Sequence, residues 1–168
     1  HYHLMMMPSV SFQDERKYAA SALAAILGGG DGSRLHWALV DTGLAEAAAA
    51  SVDTNDEYGE QLTYAVCDPK NAKQVADIMR NEMVNVVDTL TSDDIAKVVA
   101  KAGTAAAVAS ERPAGRMQRL GSMLITSGQY VSLEEELEAI ESLTIKNLQE
   151  VAEAFPWDPV FETSTKHD

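Results

Sequence analysis

Residues 44–67 read LAEAAAASVDTNDEYGEQLTYAVC, and how this stretch folds decides the architecture. Leu44–Ala50 is helix by propensity, because alanine is the best helix former. The residues that follow speak for a sheet. Asp53-Thr54-Asn55-Asp56 is a cluster of turn formers. Gln61–Cys67 has strand character, with Leu62, Tyr64 and Val66 on one face. Two segments on either side of an Asp/Asn turn can equally be paired strands. Propensity gives a helix and then a strand, hairpin logic gives two strands, and local pattern leaves both open.

Outward from this stretch the pattern is clearer. Asp68-Pro69 is a cap with proline in the first turn. Ala72, Val75, Ala76, Met79, Met83, Val86, Val87 and Leu90 then recur at i, i+3, i+4, i+7, the strongest amphipathic signal in the chain. Thr91-Ser92-Asp93-Asp94 starts a helix to about Ser110. Arg112-Pro113 breaks it, and Met117, Leu120, Gly121 and Leu124 begin a new stripe. Ser132-Leu133-Glu134-Glu135 is a capping box, with Leu133, Leu137 and Ile140 predicted inward. Thr144 caps a last helix carrying Ile145, Leu148, Ala152 and Phe155, ended by Pro156. Val160–Thr163 reads as a closing strand, and the tail Lys166-His167-Asp168 as frayed.

On the N-terminal side, Leu4–Met7 is an apolar run closed by Pro8, consistent with a buried strand. Asp14–Leu27 reads as a helix with Ala19, Leu23, Ile26 and Leu27 at helical spacing, stopped by Gly28-Gly29-Gly30. Ser33 to about Thr42 reads as a second short helix, ended by Gly43. The order strand, helices, hairpin, helices, strand predicts an α+β two-layer sandwich. Helices cover one face of a mixed or antiparallel sheet, and residues 1–168 form a single domain.

The composition narrows the function. The 168 residues are 46% apolar and carry a net charge of −13. Such a surface repels phosphate backbones and anionic membranes, which argues against nucleic-acid and lipid partners. No apolar stretch approaches the roughly 20 residues that span a bilayer. The single cysteine, Cys67, excludes an intrachain disulfide and reads as a small buried residue of a strand. The chain starts abruptly within a strand and shows no signal peptide, so it is expected to be a piece of a longer protein. The expectation is a soluble chain whose compartment, cytoplasmic or periplasmic or organellar, is not encoded here.

No self-sufficient catalytic set stands out. Zinc hydrolysis needs three ligands and a carboxylate base, usually from His-Glu-x-x-His or His-x-x-Glu-His. Neither motif occurs among His1, His3, His36 and His167. His1 and His3 share a strand face but make only a pair. Gly28-Gly-Gly-Asp-Gly-Ser-Arg34 lacks the lysine of a phosphate loop, follows a helix and contains the anion-repelling Asp31. Gly32-Ser33-Arg34 is no nucleophile elbow. Glu134-Glu135-Glu136 suits the dipole at a helix N-terminus. Arg112, Arg116 and Arg119, at 0, +4 and +7, form a basic stripe that reads as ion pairing between helices or as a contact for an acidic partner or peptide carboxylate.

Ile26-Leu-Gly-Gly-Gly-Asp-Gly-Ser-Arg-Leu35, followed by Gly43-Leu44-Ala45, resembles the start of the second domain of pitrilysin/insulinase-type (inverzincin) zinc metallopeptidases. Asp68-Pro69, Thr91–Asp94, Leu120-Gly121, Ser132–Glu141 and Thr144 to Val151-Ala152 fall in the family's order, so the resemblance spans nearly the whole chain. It implies that Leu44–Val52 is a strand. It also implies a domain with no catalytic residue, metal ligand or cofactor of its own, inactive as a peptidase alone. Zinc is expected in a homologous domain, in the same chain or in a partner subunit, around a chamber for unfolded peptides. The glycine-rich loop then becomes a candidate peptide contact through Gly29, Gly30, Ser33 and Arg34. Many relatives place an Arg and a Tyr after Ser-Arg-Leu to hold the substrate carbonyl. Here those positions hold Val40 and Glu46, which leaves open an inactive scaffold subunit with no proteolytic role.

Overall fold

A computed structural model describes residues 1–110, 113–128 and 130–165. Residues 44–67 fold as a hairpin. Its strands, β2 (Ala45–Thr54) and β3 (Gly59–Cys67), pair antiparallel around a turn in which the Asn55 N–H donates to the Tyr58 carbonyl at 2.8 Å. Helix propensity loses because a lone seven-residue alanine-rich helix is marginal in water. As a strand the same residues gain a ladder partner on β3 and contacts from a helix above. A register shift between Ala45 and Ala47 places a bulge at Glu46.

Strand β1 (Tyr2–Ser9) pairs with β3 on one side and with β4 (Phe161–Thr165) on the other, giving the antiparallel order β2-β3-β1-β4. Among the described residues, six α-helices follow the predicted order. They are α1 (Lys17–Gly28), α2 (Ala72–Asn85), α3 (Ser92–Ser110), α4 (Pro113–Ser127), α5 (Leu133–Glu141) and α6 (Ile145–Ala154). The structure is thus the two-layer α+β arrangement that the sequence predicts, with an entirely antiparallel sheet among the described residues. The second short helix expected over 33–42 forms at 34–40 and ends in a π-helical turn, His36–Val40. The fully buried Leu35 and Leu39 anchor that turn.

The core lies between α1 and one sheet face. Helix α1 is built from Ala, Leu and Ile and is buried along most of its length, including Leu23, Leu27 and Gly28. Strands β1 and β3 turn His3, Met5, Met7, Gln61, Thr63, Ala65 and Cys67 toward it. Leu62, Tyr64 and Val66 do share a face, as their spacing predicts, but it is the opposite, more exposed one. Gln61 is buried because its amide donates to the Pro8 and Phe155 carbonyls at 3.1 and 3.0 Å, tying β3 to the end of α6.

The predicted caps form. Ser132 and Glu135 make the reciprocal capping box of α5, and Thr144 and Asn147 do the same for α6. Leu148, Val151 and Ala152 pack into the core. In helix α4, Met117, Leu120 and Leu124 are exposed. They form a stripe at helical spacing that no other described element covers.

Candidate functional site

The glycine-rich loop joins the buried end of α1 to the π-helical turn. The Gly29 N–H closes the last turn of α1 on the Ala25 carbonyl at 2.9 Å. Gly30 and Gly32 then adopt φ of 90° and 82°, where a side chain would meet its own backbone. Ser33 is buried, its N–H donates to the Gly30 carbonyl at 3.0 Å, and its Oγ accepts from the His36 N–H at 3.4 Å. The exposed segment is therefore Gly30-Asp31-Gly32, whose backbone carries little side-chain cover.

Two cations, Lys101 of α3 and Arg34 of the loop itself, brace this segment against distant sequence. Lys101 of α3 donates to the Gly29 carbonyl at 2.7 Å, capping the end of α1 with a positive charge as the helix dipole favours. Arg34 donates to the Thr89 hydroxyl, and to the Thr89 carbonyl at 2.8 Å, and sits 3.5 Å from Asp94. Asp94 accepts from the Thr91 N–H at 2.9 Å and the Thr91 hydroxyl at 2.8 Å, so the same carboxylate caps α3 and neutralises Arg34. Burial by itself would raise the Asp94 pKa. The Thr91 hydrogen bonds, and then the Arg34 and Lys97 charges, outweigh it and hold this carboxyl below its ordinary value.

This latch gives a pH prediction. Asp94 titrates lower in the folded chain than unfolded, so its contribution is complete above the ordinary Asp value of about 3.9 and is lost as pH falls through the lower folded-state value. Arg34→Met should lower stability by about 1–2 kcal/mol near neutral pH, the range for hydrogen bonds to a charged group with partial solvent screening. Urea unfolding at stepped pH should show that deficit narrowing below about pH 4 without vanishing, because the Thr89 acceptors do not titrate. A deficit independent of pH would show that Asp94 takes no part in the latch.

Beside the loop, α1, α3 and α5 enclose a cleft of about 800 Å³ lined by Tyr18, Ala22, Ala25, Val98 and Ile140. Trp37, 58% exposed, stands among its lining residues with the His36 ring edge-on against it. Burial pushes the Tyr18 phenol pKa up, and the Glu136 charge adds to this. Trp37, Lys101 and Thr89 escaped the sequence reading, which took Asp94 only as part of a helix start. Lys101 and Gly29 are 72 positions apart, and no local spacing encodes such a pair.

The remaining candidates separate. Arg119 donates to Glu136 at 2.6 Å and to the Val131 carbonyl at 3.2 Å, so it holds α4 to the start of α5. Arg116 points to solvent, and Arg112 lies outside the described residues. The His1 and His3 rings lie 4.5 Å apart, tilted by 58°, and His3 Nε2 lies 2.9 Å from the Ala72 carbonyl. Cys67 is buried at the end of β3, and burial raises its thiol pKa. No three His, Cys, Asp or Glu among the described residues gather as a metal site, so these side chains do not fit a catalytic zinc. Val40 ends the π-helical turn and Glu46 is exposed at the bulge; neither presents a hydrogen-bond donor to a substrate carbonyl.

Fold and loop together define a two-layer α+β domain whose glycine-rich loop is held by Lys101 and Arg34. The chain belongs to the Peptidase M16 inactive domain family, whose profile matches residues 1–102. It is 29% identical over 151 residues to an uncharacterized zinc protease of Streptomyces coelicolor, covering 89% of this chain and 33% of that protein. The fold matches a protease from Helicobacter pylori with a TM-score of 0.86 at 17% identity, over 96% of this chain and 39% of that one. It also matches a chain of complex III2 from Candida albicans with a TM-score of 0.82 at 16% identity, over 94% of this chain and 40% of that one. The chain spans about a third of the length of the curated relatives it matches.

Proposed function

We propose that this chain is the non-catalytic, chamber-forming domain of a longer zinc-dependent metalloendopeptidase. The observation that carries the reading is the inactive-domain family match together with named zinc proteases about three times as long. Zinc belongs to a homologous domain, in the same chain or in a partner subunit. There it would supply a water acidified enough to attack a peptide carbonyl. This domain walls the chamber and offers the loop at Gly29, Gly30, Ser33 and Arg34 to an unfolded peptide. Gly30 and its neighbours contribute bare backbone, while Ser33 and Arg34 keep the loop in place. No helix among the described residues is long and apolar enough to cross a membrane.

The test is cleavage of an unfolded peptide by the full-length protein, with and without EDTA and with zinc restored. The expected result is cleavage that EDTA abolishes and zinc recovers, with no cleavage by this chain alone. A second reading, an inactive scaffold subunit, is favoured by Val40 and Glu46 at the positions where an Arg and a Tyr would hold substrate. Absence of cleavage by the full-length protein, even with homologous zinc-bearing chains added, would establish the scaffold.

A further inference from the structure

The cleft beside the glycine-rich loop is walled by small side chains. Ala22 and Ala25 line it from α1, and Ala102 and Ala105 from α3. Helices that meet through alanines can approach to about 8 Å, the short end of interhelical spacing. These two do not close, and about 800 Å³ stays open beside them. The loop braces account for the gap. Arg34 ties the loop to Thr89 and Asp94, where α3 begins, and Lys101 ties the middle of α3 to the Gly29 carbonyl. Polar contacts at the loop end thus set the spacing of α1 and α3, and the opening is pre-formed. Charge is unevenly balanced around it. Arg34 and Asp94 neutralise each other, Asp31 projects fully into solvent 3.7 Å from His36, and Lys97 leans on the exposed Asp93 at 3.8 Å. Among the described residues no carboxylate pairs with Lys101, whose Nζ gives one N–H to Gly29 and keeps two. Gly30 puts no side chain in the way, since a β-carbon there would have that Nζ as its nearest neighbour, at 3.9 Å.

We propose that this cleft binds a small amphiphilic carboxylate, with its hydrocarbon body between α1 and α3 and its carboxylate on Lys101. An apolar cleft of this size with a few polar groups at one end is the usual form of a small-molecule site. The exposed Trp37 ring and the half-buried Ile140 add apolar cover to the body. In a chain of net charge −13, an ammonium without a carboxylate partner at the end of an apolar cleft selects for a single anionic group. A second charge along the body would have to be desolvated against alanine and valine walls. The site is made by this chain alone and stands whether or not the whole protein cleaves peptides.

Calorimetric titration of the full-length protein with decanoate, below its micelle concentration, decides the matter. Decanoate should bind, and each methylene removed down to hexanoate should weaken binding about fourfold, the worth of one buried CH2. Lys101→Met should weaken decanoate about tenfold, as loss of a hydrogen bond to a charged group does, and leave neutral decanamide unchanged. Lys101→Arg should retain most of the affinity. Ala105→Trp fills the cleft from an exposed position and Ala102→Phe from a half-buried one, and each should abolish binding. Thermal unfolding verifies that both variants fold, and the exposed site keeps the test valid if Ala102→Phe does not. Absence of decanoate binding, or binding untouched by the filling variants, overturns the proposal. Equal binding of decanoate and decyltrimethylammonium, or no loss in Lys101→Met, overturns the carboxylate assignment. Displacement of decanoate by an unfolded peptide assigns the cleft to peptide and also overturns the proposal. EDTA-sensitive cleavage is read separately, so an inactive protein that binds decanoate would refute the peptidase and keep the site.

Discussion

Gly28→Ala should destabilise the chain by about 2 kcal/mol, although alanine is the better helix former. In the last turn of α1 the change gains about 0.5–1 kcal/mol of propensity. Against this, a β-carbon at Gly28 would lie 2.2 Å from the Ala50 nitrogen and 2.7 Å from the Ala49 carbonyl carbon. Those are backbone atoms of a paired strand, so relief requires moving β2 or lifting α1. Overpacking of this kind costs about 1–3 kcal/mol and sometimes more, and it outweighs the propensity gain. Thermal unfolding should shift down by roughly 4–8 °C for a chain of this size. Gly103→Ala is the control. Gly103 lies in α3 with nothing within 4 Å of its missing β-carbon, so the same change there should stabilise by about 0.5–1 kcal/mol. Equal effects at the two sites would remove the argument that Gly28 sets the spacing of α1 and β2.

Leu148→Ala is expected to cost about 3 kcal/mol. Leu148 is fully buried where α6 meets α1, and truncation of a core leucine loses transfer energy and leaves a cavity. Leu120→Ala provides the contrast. Both residues belong to apolar stripes at helical spacing, but Leu120 lies on the uncovered stripe of α4. Its loss should stay within about 0.5 kcal/mol, the usual range for surface substitutions. Denaturant titration of the two variants separates the cases, and a comparable loss at Leu120 would mean that α4 buries its stripe in solution.

These elements are legible to different degrees, for physical reasons. Caps announce themselves locally, so Ser132 and Thr144 mark α5 and α6 correctly. Residues 44–50 do not, because a strand that leans on Gly28 takes its stability from tertiary contacts that propensity does not measure. Alternation grouped Leu62, Tyr64 and Val66 correctly, yet period two says only which residues share a face, not which face is buried. The candidate site was half legible. Positive φ at Gly30 and Gly32 follows from the glycines themselves, while the Lys101 and Arg34 braces exist only once α3 is folded against the loop. Spacing leaves Arg119 open to an ion pair between helices or to a partner contact, and only the folded chain brings Glu136 within its reach.

The pairing of β1 with β4 has a consequence for the order of assembly. His3 lies opposite Ala65 on one side, 62 positions along, and opposite Ser164 on the other, 161 positions along. Closing the longer loop costs only about 0.8 kcal/mol more in chain entropy, so the equilibrium penalty is slight. The timing differs more. During synthesis β1, β3 and β2 can zip together before α3 to α6 are made, and β4 is the last of these four strands to emerge. Until then Leu4-Met5-Met6-Met7 is an apolar strand with an open hydrogen-bonding edge, the kind of template that recruits stray chains. The most vulnerable moment of this molecule is therefore the interval before Phe161–Thr165 docks, and quick closure of that edge protects the nascent chain from self-association.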